Sequence, residues 1–323
     1  MDTLLMKTAD EVVSDNARIN SDEWAAQRLA EATIVMRIDL SFPGQSRKAD
    51  ASRIQTDADR EMLTVTKRLY DGCKEFRRVH SAMLSAKRWM QSRAVPSNAL
   101  KGGYERIPVK LVEEVEQGLQ ARWNDLQPLI DDFVAAYPEI VAQAQKRLGS
   151  LSTAADFPPV EDIRGEFGLR WWYLSMDVPN SLSEINGALF QRERAKMKEQ
   201  IKEELRAVRL GLREGMAGLV EHMVERLTPG SDGKPKTFRN TLITNMREFL
   251  DLFDARNVAD DRELQAIVAK ARAILSGGVD AETLRNYDGV RERVRDAFEG
   301  MKAQLGGMVV AATRKLDLTG DDE

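Results

Sequence analysis

The sequence predicts a mainly α-helical protein, built from long antiparallel helical hairpins and coiled coils with a small two-stranded β element. Three observations predict it. Apolar residues recur at steps of three and four through most of the 323-residue chain, the period of a helix face. Charged residues make up 31% and aromatic residues 6%, a mix that suits long solvated helices rather than an all-β domain, where aromatic and β-branched residues are richer. Only two short stretches carry strand patterning. A chain of this length buries about three quarters of its unfolded surface, so it folds without disulfides or metal.

The elements follow in order. A short helix is expected around 9–32, interrupted near 16–21. Ile34 to Phe42 is rich in β-branched residues, alternates at its end and stops at Pro43-Gly44, so it reads as a strand. Met62, Val65, Leu69, Gly72, Phe76, Val79, Met83, Ala86 and Met90 then form a heptad seam, which calls for a facing helix. The loop from Pro96 to Pro108 contains Gly102-Gly103. A second helix carries Val112, Leu119, Leu126, Phe133 and Ile140 one heptad apart and ends near Gly149. Pro128 and Pro138 lie inside it, and each predicts a break or kink because it lacks a backbone donor. Gly168 to Pro179 is the second strand, a partner for the first.

A long helix is expected from Ser181 or Ser183, with a capping box from Ser181 to Glu184, to about Leu227. Met197, Ile201, Leu205, Val208, Leu212, Met216, Leu219, Met223 and Leu227 step by four, four and three along it, an eleven-residue period that favours a nearly straight rod. At 1.5 Å per residue it extends roughly 70 Å, more than one compact core covers, so it needs a hairpin partner or another subunit. Pro229 to Lys236 is a loop of breakers. Helices over 238–253, 261–275 and 281–305 return, the last two parted by Gly277-Gly278, with Tyr287, Val294, Met301 and Met308 seven apart. The natural segments are 1–53, 54–180 and 181–323.

Charge and motifs bound the function. Lys+Arg total 48 and Asp+Glu 52, a net charge of −4, without the basic excess of a nucleic-acid-binding domain. No apolar run approaches the ~18 residues of a membrane span, which excludes an integral membrane helix. Cys73 is the single cysteine, so no internal disulfide forms, as in a reducing cytosol. The start MDTLLMKTADEVV lacks the basic and apolar regions of a signal peptide. The expected location is cytoplasmic, or the host cytoplasm for a phage protein.

Candidate chemistry is sparse. His80 and His222 have no metal-ligand spacing around them. Cys73 lacks a flanking nucleophile motif and reads as a small packed side chain. The glycine pairs 102–103, 277–278 and 306–307 fit no phosphate loop, and no GxSxG is present. Asp131-Asp132 reads as a solvated helix face and Asp260-Asp261 as a helix start, in preference to cation ligands. No cofactor, metal or catalytic residue is expected. The stretch 67–93 is basic, with Lys67, Arg68, Lys74, Arg77, Arg78, Lys87 and Arg88 as possible nucleic-acid contacts. The helix after it is acidic, so complementary flanks of one hairpin are the favoured reading. Trp171-Trp172-Tyr173 could stack bases, though such alternation more often divides rings between core and interface.

The order of features resembles the domain of unknown function 3150 group of phages and bacterial mobile elements. The resemblance rests on Leu40-Ser-Phe-Pro-Gly-Gln-Ser-Arg-Lys48, the basic stretch 60–93, Leu100-Lys-Gly-Gly-Tyr104 with Ile107-Pro108, the helix 109–148, Arg164-Gly-Glu-Phe167 and the strand Leu169–Val178. It spans about residues 30–275. Family members often carry a Trp before the Gly, where this chain has Phe42-Pro43. Members often neighbour genes for MoxR-type AAA ATPases and von Willebrand-type adaptors, which implies a helical partner in an assembly and no assigned catalytic residues.

The function expected is a non-enzymatic, self-associating scaffold of phage origin, a homo-oligomer that closes into a ring if its contacts allow. Its packing seam is Met62, Leu69, Phe76, Met83, Met197, Ile201, Leu205, Val208, Leu212 and Leu219. The alternatives are a nucleic-acid-associated protein using 67–93 and an adaptor of an AAA ATPase.

Overall fold

The computed structural model describes residues 29, 31–97, 102–175, 178–230, 236 and 239–317. The helix expected at 9–32 lies outside the described residues except at 29, 31 and 32, which are helical. The fold is mainly helical with a small β element. Five strands, β1 (Thr33–Ser41), β2 (Ser46–Lys48), β3 (Thr66–Arg68), β4 (Tyr104–Pro108) and β5 (Gly168–Leu174), are present among the described residues. The eight helices described are α1 (Lys74–Arg93), α2 (Val112–Leu148), α3 (Ser181–Ile185), α4 (Gly187–Leu227), α5 (Asn240–Arg256), α6 (Arg262–Ser276), α7 (Ala281–Asn286) and α8 (Asp288–Asp317).

The sheet has the order β4–β1–β5, so the two expected strands are neighbours, joined by a third. β4 escapes the sequence because Tyr104-Glu-Arg-Ile-Pro108 is short, charged at its centre and ends in proline. The chain divides into two compact units that interleave, in place of three consecutive segments. Of the described residues, one unit takes those up to Val35, those of 93–112 and those from Leu174 onward; the other takes Met36–Ser92 and Glu113–Tyr173.

In the unit of 36–92 and 113–173, the seam does not run as one helix from Met62. β2 and β3 form an antiparallel pair with Ser46 opposite Arg68, Arg47 opposite Lys67 and Lys48 opposite Thr66. Gly72 then adopts φ +79°, a left-handed turn that side chains disfavour, and α1 begins only at Lys74. Met62 falls on a 3-10 turn and is 84% exposed. Leu69 is buried, but from the segment after β3. The seven-residue spacing of those two positions is a coincidence of a hairpin and a helix. Phe76, Val79, Met83, Ala86 and Met90 are the buried face of α1.

α2 runs unbroken through Pro128 and Pro138, against the expected break. Each proline costs about 3 kcal/mol in a helix interior. Burial of Leu126, Ile130, Phe133 and Tyr137 around them holds the helix together. Aromatic rings fill this core: Tyr70 stacks on Phe76 at 5.0 Å, and Phe133 meets Phe167 edge-on at 5.3 Å, geometries that the ring quadrupole favours.

Trp89 of α1 lies across α2 at Gly118, where a Cβ would collide with the indole. Arg122 covers the other side of the ring at 3.7 Å and donates to the Gly118 carbonyl at 3.0 Å. Gly118→Ala is expected to cost about 1–3 kcal/mol through overpacking. Gly218 in α4 is exposed and has nothing within 4 Å of an added Cβ. Gly218→Ala should therefore stabilise by about 0.5–1 kcal/mol through helix propensity. Urea midpoints of the two variants, moving in opposite directions, check the pair.

In the other unit the predicted long helix is divided. Asn186 breaks it, with its side chain accepting from the Leu189 amide at 3.0 Å to cap α4. Ser181 is the first residue of the short α3 and not a cap. Leu205, Val208, Leu212, Met216, Val220, Met223 and Leu227 of α4 are buried in one core with Phe253, Ile267 and Phe298. α8 lies along α4 more extensively than any other helix does, so much of the rod finds its partner within the chain. The predicted helix 281–305 is likewise two helices, broken at Tyr287, which is exposed.

Two buried ion pairs pin this unit. Arg106 of β4 grips Glu204 of α4 through two bonds, Nε to Oε1 at 2.8 Å and Nη2 to Oε2 at 2.6 Å. Ser97 donates to Glu204 at 2.7 Å, and Arg106 donates to Thr33 at 3.1 Å. Arg213 forks onto Asp261 at 2.6 and 3.0 Å. Asp261 also caps α6 by accepting from the Leu264 amide at 3.1 Å. The bonds Arg213 donates to Asp261 raise its pKa further, so it stays charged.

Candidate functional site

The seven basic residues proposed as phosphate contacts separate by environment. Lys67 is buried, with its ammonium 2.6 Å from Asp156 and 2.7 Å from the Leu151 carbonyl, so it is no surface contact: the β2–β3 pairing turns it inward. Burial opposes ionisation of Asp156, but bonds from Lys67 and Thr153 outweigh it and hold the carboxyl below its usual range. Arg78 reaches Asp132 of α2 at 3.4 Å, one ion pair of the complementary-flank kind. Arg68 lies 3.9 Å from Asp71, and Lys74 3.6 Å from Glu75. Arg77 and Arg88 are exposed. Lys87 is half-buried.

Two clefts flank the turn from Tyr70 to Cys73. One, of about 630 Å³, opens between this turn and the end of α2. The other, of about 400 Å³, lies between β2, the turn and the start of α1. Arg147 of α2 holds the turn by donating to the Asp71 carbonyl at 2.7 Å. The Tyr70 hydroxyl is buried near Tyr137 and makes no hydrogen bond of ordinary geometry.

Cys73 sits at the start of α1. Its sulfur accepts from the Phe76 amide at 3.4 Å, and its thiol donates to Glu75 at 3.5 Å. Burial pushes the thiol pKa up, which disfavours the thiolate a nucleophile requires. His80 is held between Phe42, at 4.8 Å, and Phe76, at 5.9 Å. His222 is exposed on α4 and takes a bond from Arg226 at 3.2 Å. Asp131 pairs with Arg164. Among the described residues no three His, Cys, Asp or Glu side chains converge to hold a metal, and no helix is long and apolar enough to cross a membrane.

The aromatic triplet lies on β5. Trp171 Nε1 and the Tyr173 hydroxyl both donate to Glu116 Oε2 of α2, at 2.7 and 2.6 Å. Burial and the Glu116 carboxylate together raise the Tyr173 pKa. Both rings are thereby tied to α2, although Tyr173 stays exposed along with Trp172, which makes no such bond.

The packing seam also separates. Phe76 and Met83 are buried in α1, and Leu205, Val208 and Leu212 in α4. Ile201 and Leu219 are partly buried against the same core. Met197 lies beyond it, half-exposed. Nothing in the sequence places Gln45, Ser46 and Arg147 around the Tyr70–Cys73 turn. Asp71-Gly72 is a turn signal that the heptad spacing overrode. No family model matches the chain, and neither a curated protein nor a solved structure matches it.

Proposed function

We propose that the protein is a non-enzymatic scaffold that self-associates through the first half of α4. One observation carries this. The face of α4 that is buried at Leu205, Val208 and Leu212 continues upstream through Ile201, Met197 and Phe190, yet no described side chain of 187–203 is buried. That portion is a rod of roughly 25 Å. Ile185, just before it, is 80% exposed. Apolar surface left in water favours association at about 25 cal/mol per Å² covered. A second copy supplies a helix of matching pattern, and repeated contacts of one hand close a ring. The resemblance in motif order to the phage and mobile-element family implies a helical partner in an assembly, with an AAA ATPase as a further candidate.

Light scattering after gel filtration at micromolar concentration tests it. A mass that is a multiple of 36.4 kDa is expected, returning to one copy in Phe190→Glu/Met197→Glu. These positions lie outside the buried core, so the variant should keep the wild-type circular dichroism. A wild-type chain that runs as a single copy overturns the proposal.

A further inference from the structure

We propose that the cleft of about 400 Å³ beside the start of α1 binds a small phosphorylated ligand through Arg77, Arg68 and His80. The volume lies within the range of small-molecule sites. The wall at the start of β2 offers Gln45 and Ser46, both exposed polar side chains. The wall from α1 offers Arg77 and His80, the end of β3 offers Arg68, and the turn offers Gly72 and Cys73.

Two groups in the lining have capacity to spare. Among the described residues, the Arg77 guanidinium has no ion pair and the His80 ring nitrogens have no hydrogen-bond partner. His80 is nonetheless fixed in place, gripped by the Phe42 and Phe76 rings. An immobilised ring whose nitrogens are unspent suits a polar ligand better than a packing role. The one acid in the lining, Asp71, is already offset: Arg147 lies 3.6 Å and Arg68 3.9 Å from its carboxylate. The cleft therefore carries a net positive potential. Arginine forks match phosphate oxygens two at a time.

This site is independent of the scaffold reading, which concerns α4. Isothermal titration of the full chain with inorganic pyrophosphate tests it, alongside a 5′-mononucleotide and the same nucleoside without phosphate. Pyrophosphate and the mononucleotide are expected to bind, and the nucleoside to give no heat. Arg77→Gln should weaken pyrophosphate by at least about tenfold, the scale of a lost charge-assisted bond. Arg77 is exposed, so this variant leaves the core intact. Arg88→Gln, on the same helix outside the cleft, should leave affinity within about twofold. Oligonucleotides with and without a 5′-phosphate separate a strand terminus from a free metabolite as the source: tighter binding of the phosphorylated strand than of the mononucleotide assigns the terminus. Absence of pyrophosphate binding overturns the site. Equal losses in Arg77→Gln and Arg88→Gln also overturn it, in favour of a diffuse basic face.

Discussion

Glu204→Ala is expected to lose about 3–5 kcal/mol, the cost of stranding one partner of a buried ion pair. The variant leaves Arg106 charged, buried and without the carboxylate that receives two of its donors. Ser97 loses its acceptor as well. A domain holds only about 5–15 kcal/mol in total, so the loss removes a large fraction of the stability of this unit. Arg106→Met/Glu204→Leu, which removes both charges, should recover most of it, because well-packed apolar pairs often replace buried ion pairs without loss. Urea unfolding of the two variants checks this. A double variant as unstable as the single one would show that the charges themselves hold β4 to α4.

Lys67→Met is the second large effect, again about 3–5 kcal/mol, and it also flattens a pH dependence. In the wild type, Asp156 is held below its ordinary value of 3.8. Its contribution to stability is full above that value and is lost as pH falls through the lower folded pKa. Without Lys67 the carboxyl keeps its Thr153 bonds but loses its cation, so its pKa moves up from the wild-type position. The variant should therefore lose less stability than the wild type as pH falls. Urea midpoints between pH 3 and 7 read the slope. A variant whose midpoint falls on acidification as steeply as the wild type would contradict the pairing.

Periodicity made some of this fold legible, and tertiary context decided the rest. The α1 face from Phe76 to Met90 and the α2 face from Leu119 to Tyr137 were readable because each buries one continuous stripe. β1 and β5 were readable from β-branched and aromatic alternation; that they are neighbours comes from the sheet itself. Met62 and Leu69 were misplaced because a hairpin of three-residue strands carries too little pattern to outweigh a coincidental heptad. The prolines misled in the opposite direction: propensity is local, and burial on both sides of Pro128 and Pro138 overrides it. Lys67 looked like a surface cation because nothing near it in sequence announces Asp156, which lies 89 positions away (156 − 67). The cleft at α1 was invisible for the same reason, since Ser46 and Arg77 meet only after the chain turns back.

The interleaving of the two units carries a consequence for biosynthesis. The chain passes between them at 35/36, 92/93, 112/113 and 173/174, four crossings. On the ribosome, every segment of the 36–173 unit has emerged before α4 begins. The other unit must wait for α4, because Arg106 of β4 finds its carboxylate partner, Glu204, only 98 residues later in the chain, roughly five to twenty seconds of translation at about 5–20 residues per second. Nascent chains stalled before α4 should therefore be cleaved by protease within 102–112 more readily than chains stalled after it.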